Sequence, residues 1–219
     1  MSGPSEALVV FLRALNPGRV KTRLARSVGP AAALDLYRAM LEDLAPRLAG
    51  DRRVIPYKDG AGPAGPFAHA RDQRGATLFE RMANAMDDVF AEGINRAVLI
   101  GTDIPVLTAR RIDHLFFILT QRDAVLGPSA DGGYYAVGFR SNRYRHDVLA
   151  APMVDGGSNV LSATERALAN ADISSARGPT LEDVDTAEDL QRLLAEREAH
   201  HACPTLVATA RALGILPPS

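Results

Sequence analysis

The sequence predicts a three-layer α/β/α sandwich with a mainly parallel, mixed central sheet. Short apolar runs alternate with stretches of helical periodicity almost throughout the 219 residues. Hydrophobic residues make up 47% of the chain, which is enough for a substantial core. The 25 basic and 26 acidic residues nearly cancel, which excludes a strongly polyanion-binding or disordered chain. We therefore expect one domain over residues 1–219, with residues 203–219 as a C-terminal helical tail.

The first half of the chain carries clear strand and helix signals. Residues 7–12 form an apolar run typical of a buried strand, and apolar side chains recur at helical spacing over residues 30–49. A shorter strand is predicted over residues 54–57, and a loop rich in Gly and Pro follows it. Thr77 and Glu80 match a capping box, which predicts a helix from there to about residue 92.

The second half continues the same alternation. Three strands are predicted, over residues 97–100, 124–126 and 135–139. A helix that begins at Thr108 and ends near residue 121 separates the first two of them. The remaining elements are helices over 158–170, from Asp185 to about His200 and over 203–219, with a weak edge strand at Ile173.

Hydropathy and cysteine content restrict the class of protein further. No window approaches the ~20 uninterrupted apolar residues of a membrane span, and Arg13 interrupts the first apolar run too early for a signal peptide. We expect a cytoplasmic protein that binds neither membranes nor nucleic acid. Cys203 is the only cysteine, which excludes an internal disulfide framework.

A cluster of basic residues directly follows the first predicted strand. Residues 13–26 contain five basic side chains and no acid, and Pro17-Gly18 supplies a tight turn that lets amides and side chains face one anion. Loops after the strands of an α/β sheet form ligand sites. The predicted phosphate-binding residues are Arg13, Gly18, Arg19, Lys21, Thr22 and Arg23. A solvated basic surface loop is the alternative.

Acidic residues follow two other predicted elements. Asp103 comes directly after the buried strand at 97–100. A carboxylate there is costly without a positive partner, for which a divalent metal is the obvious choice, but a helix cap explains Asp103 equally well. A weaker candidate is the group Glu182, Asp183 and Asp185, which holds more carboxylates than helix capping requires.

A glycine-rich loop joins the strands predicted at 124–126 and 135–139. Gly132 and Gly133 permit a close backbone approach, Tyr134 could line a pocket, and Asp131 is the candidate general base. Asp-Gly is also the strongest short-range signal for a hairpin turn. On spacing alone, the hairpin turn is favoured.

Taken in order, these segments resemble a known family. FLRALNPGRVKTRLARSVG, TLFERMANAM, VLIGTDIPVLT, AVLGPSADGGYYAVGF and EDVDTAEDL resemble the bacterial glycosyltransferase-like proteins often encoded beside radical-SAM enzymes. That family belongs to the GT-A, Rossmann-like superfamily of nucleotide-diphospho-sugar transferases. The chain is more distantly similar to 2-phospho-lactate and molybdenum-cofactor guanylyltransferases and to sugar-acid cytidylyltransferases. The resemblance covers about residues 7–196.

The resemblance implies roles for particular residues. The basic loop would hold nucleotide phosphates, and Asp103 would be the principal ligand of Mg²⁺ or Mn²⁺. In the cytidylyltransferases a late VDT aspartate supplies a second metal ligand, which falls on Asp185 here. The acceptor site implied by the resemblance comprises Asp131, Gly132, Gly133, Tyr134, Ser158 and Asn159. The chain departs from the family pattern at Arg13, where lysine is usual, and at 157–159, where Trp-Ser-Thr is usual.

Two transferase chemistries suit these residues. In nucleotidyl transfer, a small phosphorylated acceptor attacks a nucleoside triphosphate and releases pyrophosphate. The number of cations favours this reaction, because a triphosphate needs more positive charge than a metal-bound diphosphate. The predicted catalytic residues are Lys21, Arg23, Asp103 and Asp131. The alternatives are glycosyl transfer from a nucleotide sugar and a non-catalytic nucleotide-binding module; a homodimer is compatible with each.

Overall fold

The structure, a computed structural model, describes residues 5–151 and 160–217. Its strands are β1 (Glu6–Arg13), β2 (Arg53–Asp59), β3 (Arg71–Asp72), β4 (Arg96–Ile100), β5 (Ala124–Pro128), β6 (Tyr134–Arg140) and β7 (Ser175–Arg177). Its helices are α1 (Thr22–Val28), α2 (Pro30–Leu48), α3 (Leu78–Ala91), α4 (Ala109–Ile118), α5 (His146–Ala150), α6 (Val160–Asn170), α7 (Ala187–Ala195), α8 (Arg197–Ala202) and α9 (Pro204–Ala212).

The strands of the described residues form one mixed sheet in the order β3-β2-β1-β4-β6-β5-β7. β6 runs antiparallel to β4 and β5, and the other neighbouring pairs are parallel. The predicted mainly parallel, mixed sheet is therefore confirmed. In the register of β1 and β4, Val10 lies beside Ile100. The loops that follow these two strands consequently leave the same edge of the sheet, where α/β proteins bind ligands.

Each face of the sheet carries its own layer of helices. Leu8, Val10 and Leu12 of β1 belong to one buried cluster, which includes side chains of α2, α4 and α9. Val9 and Phe11, which alternate with them, belong to the other cluster, with side chains of α3, α5 and α6. Side chains of a strand point alternately to its two faces, so a strand covered on both sides is apolar throughout. The three-layer α/β/α architecture is confirmed.

Several elements differ from the sequence-based predictions. The second half of the basic segment is helix α1 rather than loop, and β3 and α5 were not predicted. The edge strand predicted at Ile173 begins at Ser175. The long helix predicted to reach His200 is interrupted at Glu196, whose φ of −82° and ψ of 128° are extended, and this residue separates α7 from α8. The predicted start of α6 at residue 158 lies outside the described residues.

The C-terminal helix packs on the same layer as α2. Leu206 and Ala210 of α9 are completely buried in the cluster that contains the inner face of α2. The carboxylate of Asp43 in α2 accepts hydrogen bonds from the amides of Thr205 and Leu206, at 3.0 and 2.8 Å. Asp43 thus satisfies two of the amides left unpaired in the first turn of α9. Among the described helices, none is long and apolar enough to cross a membrane.

Candidate active site

A cleft of about 620 Å³ opens at the edge of the sheet where β1 and β4 end. This volume lies in the range of small-molecule sites, roughly 300–1,000 Å³. The predicted site residues that line it are Arg13, Arg19, Lys21, Thr22, Arg23, Asp103, Tyr134 and Asp185. The N-terminal basic segment and the mid-chain acid therefore meet in one cleft, as predicted.

Lys21 and two carboxylates form the centre of the cleft. The Lys21 ammonium donates hydrogen bonds to Oδ1 of Asp103 and, over 3.1 Å, to Oδ1 of Asp185. The Lys21 side chain is only 3% exposed, whereas those of Asp103 and Asp185 are 51% and 39% exposed. Burial alone would lower the pKa of Lys21, but the charges and hydrogen bonds of the two carboxylates outweigh it and raise that pKa.

Local backbone structure fixes Lys21 in this position. Its φ of 45° and ψ of 50° are left-handed, a conformation that residues other than glycine rarely adopt. The carbonyl of Lys21 accepts the amide hydrogen of Ala25, at 2.8 Å, so α1 starts from this residue. Val20 and Leu24 on either side are buried in the core. Core packing therefore holds the turn that directs the lysine between the carboxylates.

Tyr37 of α2 connects the ends of the two strands that carry the site. Its hydroxyl accepts the amide hydrogen of Arg13 at the end of β1, at 3.0 Å, and lies 2.9 Å from Oγ1 of the buried Thr102. Thr102 directly precedes Asp103. The contacts of Tyr37 therefore fix the basic segment relative to the acidic residue.

The helix-cap alternatives are resolved by the structure. Thr108, not Asp103, caps α4 by accepting the amide hydrogen of Arg111. At the start of α7, Asp189 forms a capping box with Thr186 and also accepts the amide hydrogen of Asp185. Because Asp189 satisfies these amides, the carboxylate of Asp185 is available to Lys21.

Main-chain contacts also bring the late acidic segment to Asp103. The amide of Val184 donates to the carbonyl of Asp103, at 2.9 Å, and Leu181 forms an isolated bridge with Ser129. The segment thus runs beside both loops, although it lies about eighty residues after Asp103 in sequence. Asp183 and Asp185 of this segment line the cleft.

Asp183 lies in the cleft, although the sequence indicated it only as one member of a weaker acidic group. It lines the cleft, and burial raises its pKa to about 7, with further contributions from the charges of Asp103, Asp131 and Asp185. A strongly shifted carboxyl in a cleft is typical of functional sites. The excess of acids in the segment EDVD was the signal that pointed to it.

The carboxylates of Asp103 and Asp185 suit a divalent cation whose coordination shell also includes ligands from outside the protein. Mg²⁺ is commonly held by one or two carboxylates together with water and substrate phosphates. Asp103 and Asp185 supply such a pair, and Oδ2 of Asp103 accepts no hydrogen bond within residues 5–151 and 160–217. The same residues contain no group of three or more His, Cys, Asp or Glu side chains that could enclose a metal.

The arginines of the basic segment face the cleft with weak partners. Arg13 lies 3.6 Å from Asp59 and Arg23 lies 3.6 Å from Asp185, and both arginine side chains are 63% exposed. Arg19 forms no ion pair with any described residue. Gly18 adopts a φ of +73° in the turn before Arg19, as the tight turn requires. These guanidinium groups remain available to an anionic ligand.

The end of the cleft beside α3 is more apolar. Leu78 in the first turn of α3 lines it and is 56% exposed, and the side chains of Phe11 and Met82 lie beneath. Arg81 of the same helix pairs with Asp59, at 2.8 Å. The predictions did not include these residues, because the capping box accounts for this part of the sequence without a ligand.

The glycine-rich loop is a hairpin connection between β5 and β6. Oδ1 of Asp131 accepts hydrogen bonds from the Ser129 hydroxyl, at 2.6 Å, and from the Gly133 amide, at 2.9 Å. The Ser129 hydrogen bond is the main reason why the pKa of Asp131 is lowered. Gly132 has a φ of +91°, which suits the turn. The predicted acceptor residues Ser158 and Asn159 lie outside the described residues.

Solved structures of other proteins share this fold. A Desulfovibrio desulfuricans G20 protein, provisionally described as a nucleotide-diphospho-sugar transferase, has 29% sequence identity and a TM-score of 0.87, with 96% of each chain covered. Rv0371c of Mycobacterium tuberculosis, solved with manganese, is 17% identical with a TM-score of 0.51, over 89% of this chain and all of that chain. A Leptospira borgpetersenii cytidylyltransferase is 11% identical with a TM-score of 0.51, over 99% and 98% of the two chains. The last two show the fold alone.

These similarities confirm the predicted superfamily. The relatives are described as transferases or nucleotidyltransferases, in agreement with the predicted transferase class. None of the curated protein sequences matches the chain. A family model described as "uncharacterized protein conserved in bacteria (DUF2064)" matches residues 44–175. The chain therefore belongs to this bacterial family and has the fold of the nucleotide-diphospho-sugar transferases.

Proposed function

We propose that the chain is a nucleotidyltransferase that depends on Mg²⁺ or Mn²⁺. A small phosphorylated acceptor attacks the α-phosphorus of a nucleoside triphosphate; the bond to the β-phosphate oxygen breaks, and pyrophosphate leaves. The observation that carries the proposal is that weakly paired arginines and the Asp103–Asp185 carboxylate pair face one cleft. Anionic phosphates and a divalent cation are the ligands that these two sets of charges attract.

The arginines and the fixed backbone provide most of the catalytic contribution in this proposal. Arg13, Arg19 and Arg23 bind phosphate oxygens and stabilise the charge that develops on the leaving pyrophosphate. Asp103 and Asp185 would hold the divalent ion, which, when bound, neutralises phosphate charge and orients the phosphate oxygens. The manganese bound in the structure of Rv0371c supports a divalent ion in this fold.

The two ends of the cleft suit the two ends of a nucleotide. The apolar surface of Phe11, Leu78 and Met82 suits the face of a nucleobase, and the arginines suit its phosphates. The acceptor would enter beside Tyr134 and Asp183, which both line the cleft, and near Asp131, whose charge contributes to the raised pKa of Asp183. The roles of Ser158 and Asn159 in acceptor binding remain predictions from the sequence.

Glycosyl transfer from a nucleotide sugar is the second candidate. It is supported by the description of the Desulfovibrio protein, which shares 29% of its residues with this chain. In that reaction an acceptor hydroxyl displaces the nucleoside diphosphate, and the arginines and the metal hold the diphosphate. The same cleft would serve both reactions, so the ligand decides between them.

A thermal-shift panel separates the candidates. Nucleoside triphosphates, nucleotide sugars and phosphate-free nucleosides are each tested with and without Mg²⁺, because a ligand that binds only the native state raises its melting temperature. We expect the largest shift from one triphosphate with Mg²⁺ and none from the nucleoside controls. A larger shift from nucleotide sugars would favour glycosyl transfer. Binding that is unchanged without a divalent ion would contradict both reactions and favour a non-catalytic nucleotide-binding module.

A further inference from the structure

Lys21 is unusual because a lysine ammonium is buried between two carboxylates that are themselves half exposed. Its side chain is 3% exposed, and its ammonium donates hydrogen bonds to Asp103 and Asp185. Lysine is among the side chains that are least often buried, and it is buried only when paired. Asp103 and Asp185 are therefore the partners that compensate for the burial of this ammonium.

The position of the ammonium follows from the fold rather than from a flexible side chain. The left-handed backbone of Lys21, the start of α1 and the buried neighbours Val20 and Leu24 all constrain it. The carboxylates are fixed from their own side, Asp103 through the Val184 amide and Asp185 through the capping box of α7. Main-chain contacts thus hold the lysine and both acidic residues, and the Val184 amide links Asp103 directly to the segment that carries Asp185.

The charges of the two carboxylates are partly offset by cations of the same chain. Asp103 and Asp185 contribute two negative charges, Lys21 contributes one positive charge, and Arg23 lies 3.6 Å from the second oxygen of Asp185. A divalent cation that approaches the pair meets a positive charge already in contact with both acids. Like charges at such short range repel strongly inside a protein.

We propose that Lys21 is a built-in competitor of the divalent ion, which keeps Asp103 and Asp185 from holding that ion tightly until a nucleotide binds. The inference rests on the proposed metal-dependent function. Nucleotide phosphates bring negative charge that offsets the ammonium, and they supply ligands that the two carboxylates cannot. Metal and nucleotide therefore bind cooperatively, and the free protein avoids binding divalent cations unproductively.

The test is the affinity of the free protein for Mn²⁺, measured by electron paramagnetic resonance of unbound Mn²⁺. Lys21→Met removes the charge and keeps an unbranched side chain, whereas Lys21→Arg keeps the charge. We expect Lys21→Met to bind Mn²⁺ about tenfold more tightly than the wild-type protein, because the repulsion is gone. Lys21→Arg should bind as weakly as the wild type. Adding Asp103→Asn to Lys21→Met should abolish the gain.

Cooperative thermal melting verifies that each variant is folded, and Lys21→Gln replaces Lys21→Met if the latter does not melt cooperatively. Mn²⁺ affinity in the uncharged variant that equals or falls below the wild-type value would overturn the inference. The proposed function is tested separately by the melting temperature of the wild-type protein with Mn²⁺ and a triphosphate together. If that combination gives no shift, the proposed function fails; if it does give a shift while Lys21→Met gains no affinity, only the inference fails.

Discussion

Replacement of Asp103 by asparagine should destabilise the metal-free protein as well as weaken its binding of metal and nucleotide. The substitution removes the closest carboxylate from the buried Lys21 ammonium and leaves Asp185. Loss of one partner costs roughly 3–5 kcal/mol in a buried ion pair and roughly 0–1 kcal/mol at the surface. Since Asp103 is 51% exposed and Asp185 remains, we expect a loss of about 2 kcal/mol in the free energy of unfolding.

A loss of that size lowers the melting temperature of a domain of this length by about 4–8 °C. Differential scanning calorimetry at pH 7 without divalent ions measures it, with Asp35→Asn as the control, because Asp35 has similar exposure and pairs with Arg38 on the surface of α2. The Asp103 contribution should be complete between pH 7 and pH 10.5. It should disappear as the pH rises through the higher pKa of Lys21 in the native protein. A melting temperature for Asp103→Asn no lower than that of Asp35→Asn would refute the pairing argument.

Three further predictions address the cleft and its supporting helix. Arg23→Ala should lower turnover by about tenfold or more without changing the melting temperature. The control is Arg26→Ala, which replaces an exposed arginine outside the cleft and should leave steady-state turnover unchanged. Equal losses of turnover in the two variants would contradict a phosphate-binding role for Arg23. Burial raises the pKa of Asp183 to about 7, so the native protein loses stability as the pH rises from 3.8 to 7 and this carboxyl ionises. Asp183→Asn should therefore be about 2 kcal/mol more stable than the metal-free wild type at pH 8 but not at pH 4. Urea unfolding that shows the same difference at both pH values would be inconsistent with the raised pKa. Thr77→Ala should cost about 1 kcal/mol of unfolding free energy and Thr77→Ser much less, because serine keeps the hydroxyl that accepts the hydrogen bond of the Glu80 amide. Similar chemical denaturation midpoints for the two variants would show that the cap contributes nothing.

The meeting of Lys21 and Asp103 could be predicted from the sequence, although 82 positions separate them. Each follows a strand with a continuous apolar run, and such runs indicate strands buried on both faces of a parallel sheet. Parallel strands end at a common edge, so unusual side chains after them converge. The basic segment stood out because the rest of the chain is balanced in charge.

The partners of these side chains could not be predicted. A row of basic residues after a strand indicates an anion site, but it does not show that the ammonium of Lys21 is bound to two acids of the same chain. That contact depends on the left-handed turn at Lys21, for which the sequence offers no glycine. The position of Asp183 depends on the main-chain contact of Val184 with Asp103, which has no signature in either segment.

The elements that escaped prediction are short or lack terminal signals. β3 has two residues, too few to show alternation, and the seven residues of α1 include two arginines and only one buried apolar side chain, a composition that also suits a loop. The break between α7 and α8 falls at Glu196, where neither glycine nor proline marks a helix end. In all three cases tertiary packing decides the local conformation.

The contact between Asp43 and α9 constrains the order in which the chain can fold. Asp43 leaves the ribosome 162 residues before its partner Thr205, and the part of α2 that α9 covers stays exposed for that whole interval. Contacts between residues so far apart in sequence form slowly, and until they form the exposed hydrophobic surface is accessible to chaperones during translation. The contact of α2 with α9 therefore forms only after synthesis has passed α9, when all the described strands have already been made.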